Sequence, residues 1–122
     1  MANPAQTRDL PERTFVFACG VVVFCRRFFR WSEPERTLAG QLARAGVSVG
    51  ANTEEAAGAQ TRPDLVTKRS ISLKEARESH FLLRVIYSAG LDQSDEIQEL
   101  IQQANELVSI LTTSVKRLKA GS

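Results

Sequence analysis

The chain has 122 residues, which is enough for one domain that buries an apolar core. Apolar residues make up 43% and charged residues 25%, and this globular composition excludes disorder of the whole chain. The 16 basic and 14 acidic residues leave a net charge of +2, which is too small to indicate nucleic-acid binding by itself.

The two cysteines and the longest uncharged run indicate the compartment. Cys19 and Cys25 lie about 9 Å apart along one predicted helix, too far for a disulfide, so we expect two buried thiols in a reducing cytoplasm. The longest uncharged run covers residues 14–25, and it is shorter than the roughly 20 apolar residues that a membrane span needs. A secretory signal is the alternative, but Arg26 and Arg27 stand where a cleavage site needs small residues. We therefore predict a cytoplasmic protein that does not enter a membrane.

The first predicted helix spans residues 11–31, after a tail of residues 1–9 that we expect to be flexible. Its apolar side chains occur on every face, unlike those of an amphipathic helix. Because each helix of a bundle also has an outer face, these side chains either lie at a subunit interface or form an unusually apolar surface, and we favour the interface. The predicted interface residues are Phe15, Val16, Phe17, Val22, Val23 and Phe24.

The second predicted helix spans residues 33–57. Ser32 and Glu35 have the spacing of a capping box at its start. Gly46 and Gly50 stand four residues apart, which allows another helix to approach closely, although a local kink at Gly50 would also explain them.

The last two helices have clear start and stop signals. The third spans residues 63–89, with Thr61 or Arg62 as its cap, and Gly90 ends it. The fourth spans residues 94–119 and carries one apolar stripe, with apolar residues every three or four positions.

All four segments carry helical periodicity, and none shows the two-residue alternation of a β-strand. Because the connections are short, neighbouring helices must run antiparallel. The predicted fold is all-α: an antiparallel up-down-up-down four-helix bundle over residues 10–119, with residues 120–122 as a C-terminal tail.

Polar residues form one stripe on the second helix and another on the third, which we call the polar seam. Its members are Arg44, Ser48, Asn52 and Glu55 on the second helix and Arg69, Ser72, Glu75 and Ser79 on the third. In antiparallel helices that turn near residue 60, partners should have numbers that sum to about 120. The predicted pairs are Arg44 with Glu75, Ser48 with Ser72 and Asn52 with Arg69. The seam either fixes helix register through hydrogen bonds or forms a groove for a ligand or nucleic acid, and we favour the structural role.

Basic clusters close the first and the fourth helices. Their members are Arg26, Arg27 and Arg30 in the first and Lys116, Arg117 and Lys119 in the fourth. If these helices are antiparallel neighbours, each basic cluster lies beside acidic residues at the start of the other helix, and the second cluster also lies beside acidic residues at the end of the second helix. The expected acidic neighbours are Asp95, Glu96 and Glu99 for the first cluster, and Asp9, Glu12, Glu54 and Glu55 for the second. We therefore expect only weak, sequence-independent binding of RNA or DNA.

The residue types needed for catalysis or metal binding are scarce. The single histidine, His80, has Arg77 three residues before it, which excludes the paired Glu-x-x-His motifs of di-iron bundles. Glutamates such as Glu54 and Glu78 could form an acid pair for hydrolysis, but solvated glutamates on helices are far commoner. We predict no catalytic residue, no metal, no cofactor and no enzymatic activity.

Two segments resemble a known family. The first is Arg44-Ala45, Ser48-Val49, Asn52 and Glu55 on the second helix, and the other is Ser72-Leu73-Lys74-Glu75 on the third. Order and spacing are similar to those of the bacterial four-helix-bundle proteins first noticed as products of intervening sequences in 23S ribosomal RNA genes. The resemblance covers residues 10–119, and it implies a homo-oligomer, commonly a pentamer, with no known catalytic activity.

The resemblance leaves two functions open. The first is a non-enzymatic, homo-oligomeric scaffold or adaptor in the cytoplasm, which we favour. The second is a nucleic-acid-associated accessory protein, because a relative in fold, the accessory protein of diversity-generating retroelements, is a basic pentamer that works with a reverse transcriptase and its RNA.

Overall fold

A computed structural model describes residues 9–28 and 30–121, and these residues form four α-helices with no strand among them. The helices are α1 (Leu10–Cys25), α2 (Glu35–Ala57), α3 (Arg62–Ser88) and α4 (Asp95–Ala120). A short 3-10 turn, Arg26–Phe28, continues α1. The prediction of an all-α four-helix bundle is confirmed. The predicted tail of residues 1–9 lies outside the described residues, apart from Asp9.

The helices pack in the predicted up-down-up-down order. Consecutive helices make the extensive contacts, α1 touches α4 only lightly, and α1 and α3 do not touch each other within the described residues. Thus α3 lies diagonally across the bundle from α1. None of the helices in the described ranges is long and apolar enough to cross a membrane.

The helix ends follow the sequence signals in α3 and α4 but not in α2. The Thr61 hydroxyl accepts a hydrogen bond from the Asp64 amide at 3.2 Å, and Ser94 caps α4 in the same way. In contrast, α2 begins at Glu35, and Ser32 does not cap it. The Glu33 carboxylate caps this helix instead, because it accepts from the Thr37 amide at 3.1 Å and from the Thr37 hydroxyl.

Two residues of the predicted interface belong to the core of the subunit. Phe17 and Phe24 are fully buried, on the same face of α1 as Leu10 and Val21. Leu10, Phe17 and Phe24 are seven residues apart, and residues at this spacing lie on the same side of a helix. This whole side of α1 therefore faces the core. Placing Phe17 and Phe24 at the interface was therefore wrong. The remaining four predicted interface residues are exposed: Phe15, Val16, Val22 and Val23.

The two glycines of α2 allow close contact with α1. A Cβ atom placed on Gly46 would lie 2.8 Å from Val21 Cγ1, and one on Gly50 would lie 3.3 Å from the Thr14 carbonyl oxygen. The predicted close approach of another helix is confirmed, and that helix is α1 of the same subunit. The helix α2 itself is continuous from Glu35 to Ala57.

Candidate interaction surfaces

An uncovered apolar groove runs between α1 and α2. Its volume is about 510 Å³, and one charged residue, Glu54, lies along it. The groove is lined by Pro11, Phe15, Ala18, Cys19, Val22, Val23, Val47, Gly50, Ala51 and Glu54. The large side chains at its edges are among the most exposed apolar groups of the protein: Phe15 is 61% exposed, Val23 54% and Val47 45%.

The groove arises from two stripes that face each other. On α1, Phe15, Cys19 and Val22 are spaced by four and three residues, and on α2, Val47 and Ala51 are spaced by four. Small residues at the contact of the two helices keep the floor shallow and apolar. Val47 and Ala51 were not among the predicted interface residues, although their spacing of four, next to the glycine pair, was the available signal.

Val16 lies outside this groove. It is 50% exposed, but it lines a smaller crevice toward α4 together with Arg13 and Gln103. The exposed apolar residues of α1 therefore point in two directions, and only the α2 side forms a continuous apolar surface.

The two cysteines differ in their surroundings. Cys25 is buried, and burial raises the pKa of its thiol to about 11. Cys19 is exposed and lines the groove. The expectation of two buried thiols is correct for Cys25 and wrong for Cys19, because an apolar residue on an all-round apolar helix gives no signal of which face it occupies.

The centre of the polar seam consists of buried hydroxyl groups. Ser72 is fully buried and donates to the Val49 carbonyl oxygen at 2.8 Å. Thr53 Oγ1 lies 2.9 Å from Ser72 Oγ and is also buried. The predicted partner Ser48 instead accepts from Asn52 of its own helix, at 3.0 Å. These hydroxyls join α2 to α3 through buried hydrogen bonds.

The charged pairs of the seam are shifted from the predicted register. Arg44 forms an ion pair with Glu78 at 3.6 Å rather than with Glu75, and Lys68 pairs with Glu55 at 2.7 Å. Helical side chains lean toward the N-terminus of their own helix. A long basic side chain therefore reaches past the residue directly opposite, toward the N-terminus of its own helix. Because the facing helix runs antiparallel, residue numbers on that helix increase in this direction, and the partner has a higher number than predicted.

Arg69 connects α3 to α4 instead of α2. Its Nη1 donates to the Ser114 hydroxyl at 2.5 Å, so the predicted pair with Asn52 is wrong. The Nε atom is buried without a hydrogen-bond partner, and burial lowers the pKa of the guanidinium. Because α3 contacts both neighbours, a residue on its inner side can point to either one, and spacing alone does not decide between them.

One of the two basic clusters meets acidic residues as predicted. Arg27 pairs with Asp92 at 3.0 Å and with Glu96, so the end of α1 lies beside the start of α4. Arg26 and Arg30 of this cluster are exposed.

The second basic cluster does not make the predicted contacts. Among the described residues, Lys116, Arg117 and Lys119 form no ion pair. The predicted neutralisation at this end is therefore wrong, because Arg62, at the start of α3, occupies this end of α4 and donates to the Leu118 carbonyl oxygen at 3.0 Å.

His80 is half-buried on α3, and burial together with the charge of Arg84 lowers the pKa of its imidazole. Over residues 9–28 and 30–121, no group of three or more histidine, cysteine or acidic residues is arranged to hold a metal ion.

These features define a class of protein, a four-helix bundle with one apolar groove left open between its first two helices. Residues 12–113 match the family model described as 23S rRNA-intervening sequence protein, and the chain belongs to this family. Among curated proteins, none matches the chain.

A solved structure supports the same assignment. The chain is similar to a protein of unknown function from the S23 ribosomal protein family of Bacteroides thetaiotaomicron, with 25% sequence identity and a TM-score of 0.79. The match covers 90% of this chain and 97% of that chain. The family and its solved relative thus fix the fold and the membership, and they carry no known enzymatic role.

Proposed function

We propose that the protein is a non-enzymatic scaffold or adaptor that assembles into a homo-oligomer through the apolar groove. The observation that carries this proposal is the exposure of Phe15, Val22, Val23 and Val47 around one continuous cavity. Each of these side chains is about half exposed, so covering it stabilises an assembly by roughly 1 kcal/mol.

A second copy of this chain is the occupant that best fits the groove. The lining is almost free of charge, which is typical of the buried centre of an interface between identical subunits. If each groove receives a different surface of the next copy, and the rotation from copy to copy closes, the contacts form a ring. The family resemblance implies five copies, and we adopt this number as part of the proposal.

Light scattering after gel filtration tests the assembly. The wild-type protein should give a mass several times 13.5 kDa, and about five times for a pentamer. Val23→Glu places a charge in the groove and should shift the mass toward that of one subunit. Val16→Glu is the matched control, because it makes the same change on the same helix outside the groove. A monomeric wild-type protein, or equal effects of the two substitutions, would contradict the proposal.

A further inference from the structure

The outer surface of α3 carries a line of basic residues around one aromatic ring, which we call the basic stripe. It consists of Lys74, Arg77, Phe81 and Arg84, spaced by three, four and three residues, so all four side chains lie along one side of the helix. All four are exposed, and Phe81 is 58% exposed. From Lys74 to Arg84 the stripe is about 15 Å long.

The positive charges of the stripe are not neutralised within the subunit. Among the described residues, Lys74, Arg77 and Arg84 form no ion pair. The nearest acidic residue along the helix on the α2 side, Glu78, is engaged by Arg44, and Glu75 is buried.

The neighbouring helix α4 carries four acidic residues: Asp95, Glu96, Glu99 and Glu106. Two of its glutamates point toward α1, where Glu96 pairs with Arg27 and Glu106 pairs with Arg13 at 2.9 Å. Asp95 and Glu99 are exposed near the start of the helix, whereas four exposed residues that follow one side of it are neutral and polar: Gln98, Gln102, Asn105 and Ser109. The surface formed by α3 and this part of α4 is therefore basic, although the whole chain carries a net charge of only +2.

Phe81 is the least expected member of the stripe. A large aromatic side chain on the outer side of a helix, between Arg77 and Arg84, contributes nothing to the core. Neither the ring–ring contacts nor the cation–π contact of the described residues involve it. More than half of its surface is thus open to a planar partner.

We infer that the basic stripe binds single-stranded nucleic acid. Lys74, Arg77 and Arg84 would contact successive phosphates, and a base would stack on the ring of Phe81. An anionic bilayer fits less well, because a membrane-surface helix needs an apolar face and the stripe offers one ring. Because every base has a stacking face and the cations read only phosphates, the binding would be independent of sequence.

The stripe and the apolar groove are independent surfaces. The groove lies between α1 and α2, whereas α3 does not touch α1 in the part of the chain that the structure describes. If copies assemble through the groove, several stripes would act together on one strand and raise the overall affinity.

Fluorescence anisotropy with a labelled oligouridylate of about 20 nucleotides tests this inference, at about 0.05 M and about 0.2 M salt. We expect the wild-type protein to bind at the lower salt concentration and to lose most binding at the higher one. Replacing Lys74, Arg77 and Arg84 together by alanine should weaken binding about tenfold or more and reduce the salt slope by about 2. Phe81→Ala should weaken binding about five- to hundredfold and leave the salt slope unchanged.

Matched control variants distinguish binding at the basic stripe from a general effect of the protein's positive charge. Replacing Lys116, Arg117 and Lys119 by alanine removes the same charge elsewhere and should weaken binding much less. Ile71→Ala removes another exposed apolar residue of α3 and should have no effect. Light scattering and circular dichroism establish that each variant keeps its assembly and helicity.

Two results would overturn the inference: absence of binding by the wild-type protein at the lower salt concentration, or equal losses in the two triple variants. The same proteins are also mixed with vesicles that contain phosphatidylserine. Stripe-dependent binding to these vesicles without binding to the oligonucleotide would show that the partner is an anionic membrane instead.

Discussion

Gly46 of α2 lies directly against the side chain of Val21 of α1. A Cβ atom on Gly46 would be 2.8 Å from Val21 Cγ1 and 3.0 Å from its Cβ. Because both residues are buried, neither can move away into solvent. This contact sets how closely the two helices approach, and it therefore sets the shape of the apolar groove beside it.

Gly46→Ala should destabilise the protein, by about 1–3 kcal/mol, because an added methyl group overpacks this contact. Gly40→Ala in the same helix is the matched control, since a Cβ atom there meets nothing within 4 Å. It should stabilise the protein by about 0.5–1 kcal/mol through better helix propensity. Urea unfolding measures both free energies. An equal gain in the two variants would show that the helices are not in close contact at Gly46.

The buried hydroxyls of Thr53 and Ser72 should be energetically coupled. Ser72→Ala and Thr53→Val each remove the contact between the two hydroxyls and one hydrogen bond to the Val49 carbonyl oxygen, so each should cost about 1 kcal/mol. The double variant should cost clearly less than the sum, whereas Ser109→Ala on the exposed side of α4 should change little. Additive losses in urea unfolding would mean that the two hydroxyls do not interact.

Asp92 should contribute to stability in a pH-dependent way. Burial acts to raise the pKa of its carboxyl group, but hydrogen bonds from Ser94 and the nearby charge of Arg27 together outweigh this, so the pKa lies below its usual 3.8. A lowered pKa in the folded state stabilises the protein above pH 3.8, and this stabilisation is lost as the pH falls through the lower value. Asp92→Asn should therefore be less stable near pH 7 and lose less stability on acidification. Unfolding curves with the same acid dependence in both proteins would contradict this.

The sequence predicted the four helices, although α1 ends at Cys25 rather than at residue 31, and it predicted their faces less well. The hydroxyl caps at Thr61 and Ser94 and the positive φ of 78° at Gly90 are local features, and local chemistry determines them. Which faces of α1 point inward depends on the other helices. An apolar residue on every face removes the periodicity that would reveal the inner side, and this is why Phe17 and Phe24 were misplaced.

Pairing between helices was predictable only approximately. The antiparallel arrangement gave the correct neighbourhood for Arg44, but the lean of its side chain led to Glu78 one turn further along α3. Thr53 was missed because its hydroxyl is directed inward by the fold, where it meets Ser72. The partnership with a reverse transcriptase stays a prediction from analogy, and the cytoplasmic location stays a prediction from the cysteines and the short uncharged run.

The reactivity of the Cys19 thiol tests the central claim most directly, because this residue lines the apolar groove and is exposed in the single subunit. In a Cys25→Ser background, Cys19 is the only thiol, and its reaction with the uncharged reagent 4,4′-dithiodipyridine can be followed by absorbance. If copies of the chain cover the groove, Cys19 should react about tenfold or more slowly in the assembled protein than after the further change Val23→Glu. Equal rates in the two proteins would show that the groove is open in the assembly and is not the contact between subunits.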